Sequence, residues 1–311
     1  MNHIVFVIMD SCRHDTFVAA ATPSVDAFAA ANGTGVEKRY SYASWTSPAH
    51  YAYLMGMMPH TSPRGVFASE VYKEEFSKWV ERIGQEGLSF RTFVPELSLP
   101  KVLKDLGYRT VARVSMPVLN PMTSMAVHFD DYRLMDSHND FAGMIDGLDF
   151  GGPAPVFSFL NLGETHYPYM LQGEDLPHIS GVHGVFKHMD DLLRDKGKGA
   201  GQPEEKRFFD PQEMERLRQQ QVRCVEYLDG QYRRLFGKAP EGTHIIITSD
   251  HGELFGEDGY FGHGPVMHEK CFEVPFLEGK VTAGLKAQLA APGGPPARKP
   301  GFLGGLFGRH S

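Results

Sequence analysis

The segment SYASWTSPAHYAYLMG, residues 41–56, sets Thr46, Ser47 and His50 around Pro48, just ahead of an aromatic and Met-rich run. A hydroxyl at the mouth of a helix is ordinarily an N-cap, and for Thr46 or Ser47 taken alone that is the expected role. It becomes a nucleophile only when a neighbouring cation or base lowers its pKa. Residues able to do so stand elsewhere in the chain: Asp10, Glu164 with His166, Asp250 with His251, and His263. Carboxylates and imidazoles together suit a divalent cation, with Zn, Mn, Mg or Ca all open. Such an ion beside Thr46 would activate its oxygen and neutralise charge building on an oxyanion ester. Each piece has a plainer use: Asp10 can cap a helix, His50 can pack in a core, and Asp-His-Gly is a common tripeptide. Their combination carries the functional reading.

The elements that must bring these residues together are legible. Ile4 to Met9 is a continuous apolar run ending at Asp10, Val156 to Leu162 runs into GETHYPY, and HIIITS runs into Asp250 and His251. Such runs fit strands covered on both faces. Between them lie helical signals. TPSVDAFAAANG has Thr22 or Ser24 at its start and Asn32-Gly33 at its end; LPKVLKDLG stops at Gly107; the stretch from Pro211 carries Met214, Leu217, Val222, Val225, Leu228, Tyr232 and Leu235 at helical spacing. Strands alternating with helices predict a doubly wound α/β fold with a mostly parallel sheet, whose strand ends converge on one edge. We expect one catalytic domain over residues 1–281, with an insertion at about 173–205. A Pro/Gly-rich, unstructured tail is expected over 282–311.

The chain has 311 residues, 41% hydrophobic and 22% charged, with a net charge of −7. This is globular composition, and the acidic balance argues against a nucleic-acid partner. Cys12, Cys224 and Cys271 are widely spaced and form no disulfide framework, which together with the absence of a signal-like or membrane-spanning run leads us to expect a cytoplasmic protein. The expected partner is a small-molecule, glycan or lipid ester.

In combination these segments resemble the sulfatase-like branch of the alkaline phosphatase superfamily, in order from Ile4 to about Leu277. The carriers are IVFVIMDSCRHD, TPSVDAFAAANGTGVEKRYSYASWTSPAH, LPKVLKDLGYRT, VEYLDGQYRRLF, and IIITSDHGELFGEDGYFGHG followed by EVPFL. The resemblance implies Asp10, Asp250 and His251 as metal ligands, with Thr46 as both nucleophile and fourth ligand. It implies His166 and His263 as groups that bind the ester oxyanion or protonate the leaving group, with Glu164 a further ligand candidate. Arg13 matches in type and spacing, and with His50 it is assigned to substrate binding.

Departures from the family pattern point to the chemistry. Sulfatases carry Cys or Ser, oxidised to formylglycine, in a Cys/Ser-x-Pro-x-Arg frame; here the frame is TSPAH, and Thr46 bears a methyl group that forbids that oxidation. Ser11 replaces the second Asp of the usual first-strand pair, RVSMP lacks the expected Lys, and His251 stands where Asn is usual. Thr with Asp-His resembles the members that cleave or transfer phosphate esters. A metal-dependent phosphoesterase or phosphotransferase is therefore expected, ahead of sulfate-ester hydrolysis without formylglycine or a non-catalytic metal-binding relative. The family's usual C-terminal subdomain is expected to be lacking.

Overall fold

The computed structural model describes residues 1–56, 77, 86, 98–169, 210–264 and 266–291. The strands are β1 (Ile4–Met9), β2 (Glu37–Tyr40), β3 (Arg109–Val114), β4 (Asp131–Leu134), β5 (Val156–Leu162), β6 (His244–Ser249), β7 (Leu254–Phe255), β8 (Phe261–Gly262) and β9 (Glu273–Lys280). Seven of them form one sheet in the order β2-β9-β6-β1-β5-β3-β4, and β7 pairs with β8 alone. From β6 to β4 all neighbours are parallel, while β9 runs antiparallel to both β6 and β2. The sheet is mostly parallel, as expected.

Side-chain alternation along β1 shows why an unbroken apolar run was needed. Val5, Val7 and Met9 join one core, and Ile4, Phe6 and Ile8 join the other. On the first face lie α1 (His14–Ala19), α2 (Pro23–Ala31), α5 (Phe141–Asp146) and α6 (Pro211–Lys238). On the second lie α3 (Thr46–Met55) and α4 (Leu99–Asp105). Helix α6 organises its layer: Phe236 stacks on Phe28 at 4.7 Å between centroids. Its Asp229 accepts the backbone N–H groups of Ser24 and Val25, capping α2 in place of the Thr22 side chain, which makes no capping bond.

Two expectations are corrected here. Thr46 does not cap α3: the N-cap is Trp45, with Thr46 the first helical residue and its hydroxyl turned elsewhere. Nor does the chain lose structure at residue 282. Thr282 accepts the N–H of Leu285 and starts α8 (Ala283–Ala290), which follows the short α7 (Glu269–Phe272), and Leu285 and Leu289 are buried. The expected insertion at about 173–205 and residues 292–311 of the tail lie outside the described residues.

Candidate active site

Sheet register delivers the ligand candidates side by side. Met9 is opposite Leu162 on one side and Ser249 on the other, so the residues that follow, Asp10, Gly163 and Asp250, leave the sheet at one edge. Backbone and amide bonds then fix the three loops. Ser11 adopts φ 62° and donates its N–H to Asp250 Oδ1 at 3.1 Å. Thr165 Oγ1 donates to the Asp10 carbonyl at 2.7 Å, and Gln221 of α6 donates to the carbonyls of Ser11 (2.9 Å) and Thr165 (3.0 Å). The Gly of Asp-His-Gly is required by packing: a Cβ on Gly252 would overlap the Lys270 carbonyl oxygen, and the Gly252 N–H is given to Cys271 O.

Four donor atoms meet in this corner. Thr46 Oγ1 lies 3.2 Å from His251 Nε2 and 3.4 Å from Asp10 Oδ1. His251 Nε2 is 3.4 Å from Asp250 Oδ2 and 3.7 Å from Asp10 Oδ1. All four side chains are buried. Donors placed tetrahedrally at about 2.1 Å from one divalent ion stand about 3.4 Å apart, which is the spacing found. Two details strengthen the fit. His251 Nδ1 donates to Gly252 O at 2.8 Å, leaving Nε2 with its lone pair free. Asp250 Oδ2 is buried without a hydrogen-bond partner, a costly state that a cation would relieve.

Electrostatics agree. Burial, and then the Asp10 carboxylate, drive the Asp250 carboxyl far above the ordinary range. Burial pushes Asp10 the same way, but His166, His251 and the Asn161 amide outweigh it and hold Asp10 below its usual value. Burial and the neighbouring His263 keep His251 neutral, the form that binds metal. Half-buried His166 and His263 sit above these donors, their rings 5.0 Å apart and His263 4.4 Å from His251.

Three other expected residues take different positions. His50 does not face a substrate. It is wholly buried, its Nδ1 donates to the Thr46 carbonyl at 2.9 Å, and its ring lies against Tyr53 and Phe159. Burial pushes its pKa down to about 4, so it backs the site as a neutral group, 3.7 Å from Asp250 Oδ2. Arg13 turns away as well: its guanidinium is held by Asp15 and Glu257 (2.6 and 2.5 Å), by the Glu253 carbonyl and by the Phe255 ring. Glu164 points to α5, where Oε1 accepts the Phe141 N–H at 2.9 Å, and it contributes nothing to the donor cluster.

Three residues that sequence reasoning overlooked hold the site. Asn161 Nδ2 donates to Asp10 Oδ2 at 3.0 Å, while its Oδ1 accepts from Ser115 and Met116. Glu253 accepts from His263 at 3.2 Å, and Gln221 joins the loops. Each had a signal: a lone amide in a buried apolar strand, a carboxylate two residues past His251, and a glutamine in line with Leu217, Val225 and Leu228 on the buried face of α6.

No family model and no curated protein matches the sequence. Among solved structures the chain is similar to the C-terminal periplasmic domain of EcEptC from Escherichia coli in complex with Zn. The two are 14% identical over 92% of this chain and 74% of that one, with a TM-score of 0.54. It is similar to the corresponding domain of the phosphoethanolamine transferase EptC from Campylobacter jejuni (13% identity, 92% and 81% covered, TM-score 0.52). A third neighbour is BT1596, a 2-O GAG sulfatase (13%, 89% and 64% covered, TM-score 0.55). The chain shares the fold of these solved structures, which include a phosphoethanolamine transferase domain, a sulfatase and a protein described as belonging to the alkaline phosphatase superfamily. Among the described residues no helix is long and apolar enough to cross a membrane.

Proposed function

We propose that the protein is a metal-dependent hydrolase or transferase of phosphate esters, with the Thr46 hydroxyl as nucleophile. One observation carries this: Thr46 Oγ1 is not spent on capping α3 but stands 3.2 Å from His251 Nε2 and 3.4 Å from Asp10 Oδ1, beside the unpartnered Asp250 Oδ2. Asp10, Thr46, Asp250 and His251 would hold a divalent cation, of which Zn, Mn, Mg and Ca remain to be distinguished. Bound there, the cation would lower the hydroxyl pKa and neutralise charge on the phosphoryl oxygens. Asp10 Oδ1 accepts the hydroxyl hydrogen, giving the proton a carboxylate to move to as the oxygen attacks phosphorus. Bond formation to Thr46 and loss of the leaving oxygen give a phosphothreonine ester, which water or an acceptor alcohol then cleaves. His166 and His263, at the mouth, serve the equatorial and leaving oxygens. Small-molecule, glycan and lipid esters all suit this chemistry.

The test is a panel of aryl phosphate monoester, phosphodiester, phosphonate and sulfate, run with metal analysis on wild type and Thr46→Ala. We expect phosphoester turnover in wild type and a loss of about 10³-fold or more in Thr46→Ala at unchanged metal content. Full activity in the variant ends the mechanism, sulfate as the only substrate moves the protein to the sulfatase reading, and absence of stoichiometric metal favours a non-catalytic role. A cytoplasmic setting rests on Cys12, Cys224 and Cys271 forming no disulfide, whereas the EptC neighbours are periplasmic domains; fractionation decides it.

A further inference from the structure

Glu253 is buried two residues beyond His251, its side chain 1% exposed. Its two oxygens are divided between two rings. Oε1 lies 3.2 Å from His263 Nδ1, and Oε2 accepts the hydroxyl of Tyr169. Tyr169 is itself fully buried at φ 56°, and its carbonyl takes the Gln220 amide at 3.4 Å. No Lys or Arg among the described residues pairs with the Glu253 carboxylate; Arg13 reaches only its backbone carbonyl, at 3.3 Å. Of the three side chains in this row, His263 alone reaches solvent, at 17% exposure. The second contact to His263 Nδ1 is weaker, Ser11 Oγ at 3.4 Å.

A buried carboxylate with no cationic partner is costly to keep, so its placement calls for a reason other than stability. We propose that Tyr169 and Glu253 form a buried relay of positioning residues that fixes the ring and tautomer of His263, leaving Nε2 as the nitrogen that serves the leaving-group oxygen. The proposal rests on the phosphoester reading above. The physical basis is that the partner of one imidazole nitrogen decides what the other can do. With Glu253 accepting Nδ1–H, Nε2 is the atom that exchanges protons. Nε2 first takes a proton from solvent, and as the P–O bond breaks the departing electron pair takes that proton, returning His263 to its Nδ1–H form; the Nδ1 proton stays on His263 and the phenolic proton on Tyr169. Burial and Glu253 hold the Tyr169 hydroxyl far above its ordinary pKa, in keeping with that assignment. Tyr169 sets the Glu253 rotamer, so its loss is felt at His263 through one intervening side chain.

A leaving-group test separates this role from simple support of the fold. Methyl phenyl phosphate needs its leaving oxygen protonated, whereas methyl p-nitrophenyl phosphate does not. In Glu253→Gln we expect kcat on the phenyl ester to fall about 10- to 100-fold, with a change under about threefold on the nitrophenyl ester and KM unmoved. Tyr169→Phe should give the same pattern with a smaller fall. In parallel, imidazole nitrogen NMR, with the His263 signal assigned by its loss in His263→Asn, should show the Nδ1–H tautomer in wild type and its erosion in both variants. Equal losses on the two esters with an unchanged His263 signal would overturn the relay. A wild type inactive on both esters, but with the tautomer shift intact, refutes the phosphoester reading while the relay stands.

Discussion

Glu164 lies one residue from Thr165 and two from His166, and its burial has a measurable consequence. The side chain is 1% exposed; Oε1 accepts the Phe141 N–H at the start of α5, and Oε2 has no partner. Burial pushes its pKa from 4.5 up to about 7, with the Phe141 N–H opposing and Asp140 adding to the rise. At about 1.4 kcal/mol per pH unit, that displacement is worth roughly 3 kcal/mol of folding free energy, as an upper bound. The native protein keeps this proton to higher pH than the unfolded chain does. The contribution is therefore fully present below about pH 4.5 and is lost as pH rises through about 7. Glu164→Gln keeps the shape and the acceptor for Phe141 but cannot ionise. Urea unfolding of both proteins in steps between about pH 4 and pH 8 isolates the effect, because the other titrating groups cancel in the difference. The stability of the variant relative to wild type should climb by roughly 3 kcal/mol across that range, about 5 °C in Tm for a chain of 311 residues. An unpartnered amide nitrogen in the variant would displace the whole curve without changing its slope. A flat difference, or one that grows towards acid, would refute the reasoning.

Other expectations follow from the same contacts. Asn161→Ala releases Asp10 Oδ2, and metal affinity measured by chelator competition should fall about 10- to 100-fold. Asp250→Asn removes one of two facing buried carboxylates, so under chelator it should melt above wild type by an amount on the order of 1–3 kcal/mol. Adding divalent cation at a thousandfold excess over Kd should reverse that order, since only wild type gains about 4.1 kcal/mol from binding. Arg13→Met strands Asp15 and Glu257, which are 39% and 30% exposed, so the loss should be about 1–3 kcal/mol rather than the full cost of a buried pair. KM for an aryl phosphodiester, per folded molecule, should hold; a tenfold rise would restore Arg13 to substrate binding.

The site was legible where chemistry followed directly from strand ends. Residues 4–9, 156–162 and 244–249 had to be apolar because both sheet faces are covered, and the polar residues after them had to emerge together because the strands are parallel. Side-chain direction was not legible. His50 has the right type near Thr46, but four residues along a helix it falls under the Thr46 carbonyl, facing Phe159 rather than the opening. Arg13 follows the left-handed turn at Ser11 and is drawn to Asp15 and Glu257, the latter 244 residues away, a pairing no local pattern encodes. Strand β2, EKRY, is exposed along its length and carries no period. It is held by Lys38 on Glu273 and by Arg39 lying 3.3 Å over the Phe276 ring. In the C-terminal stretch the abundance of Pro and Gly hid a two-turn helix anchored by Leu285 and Leu289, four residues apart.

How the two site carboxylates are anchored explains why the corner suits a cation. Asp10 is held by the Asn161 amide and the Ser11 and Thr46 hydroxyls, and Asp250 by the backbone N–H groups of Ser11 and His251. Every one of these donors is neutral. Among the described residues neither carboxylate pairs with Lys or Arg, and burial keeps the adjacent His50 and His251 neutral too. Neutral donors fix an anion's position without cancelling its charge, whereas a lysine would do both and compete for the same oxygens. The buried Arg13 is tied to two carboxylates of its own, Asp15 and Glu257, and to the Glu253 carbonyl. Position and field are thus supplied by different groups, and the uncompensated charge of the Asp10–Asp250 pair is what a divalent ion would answer.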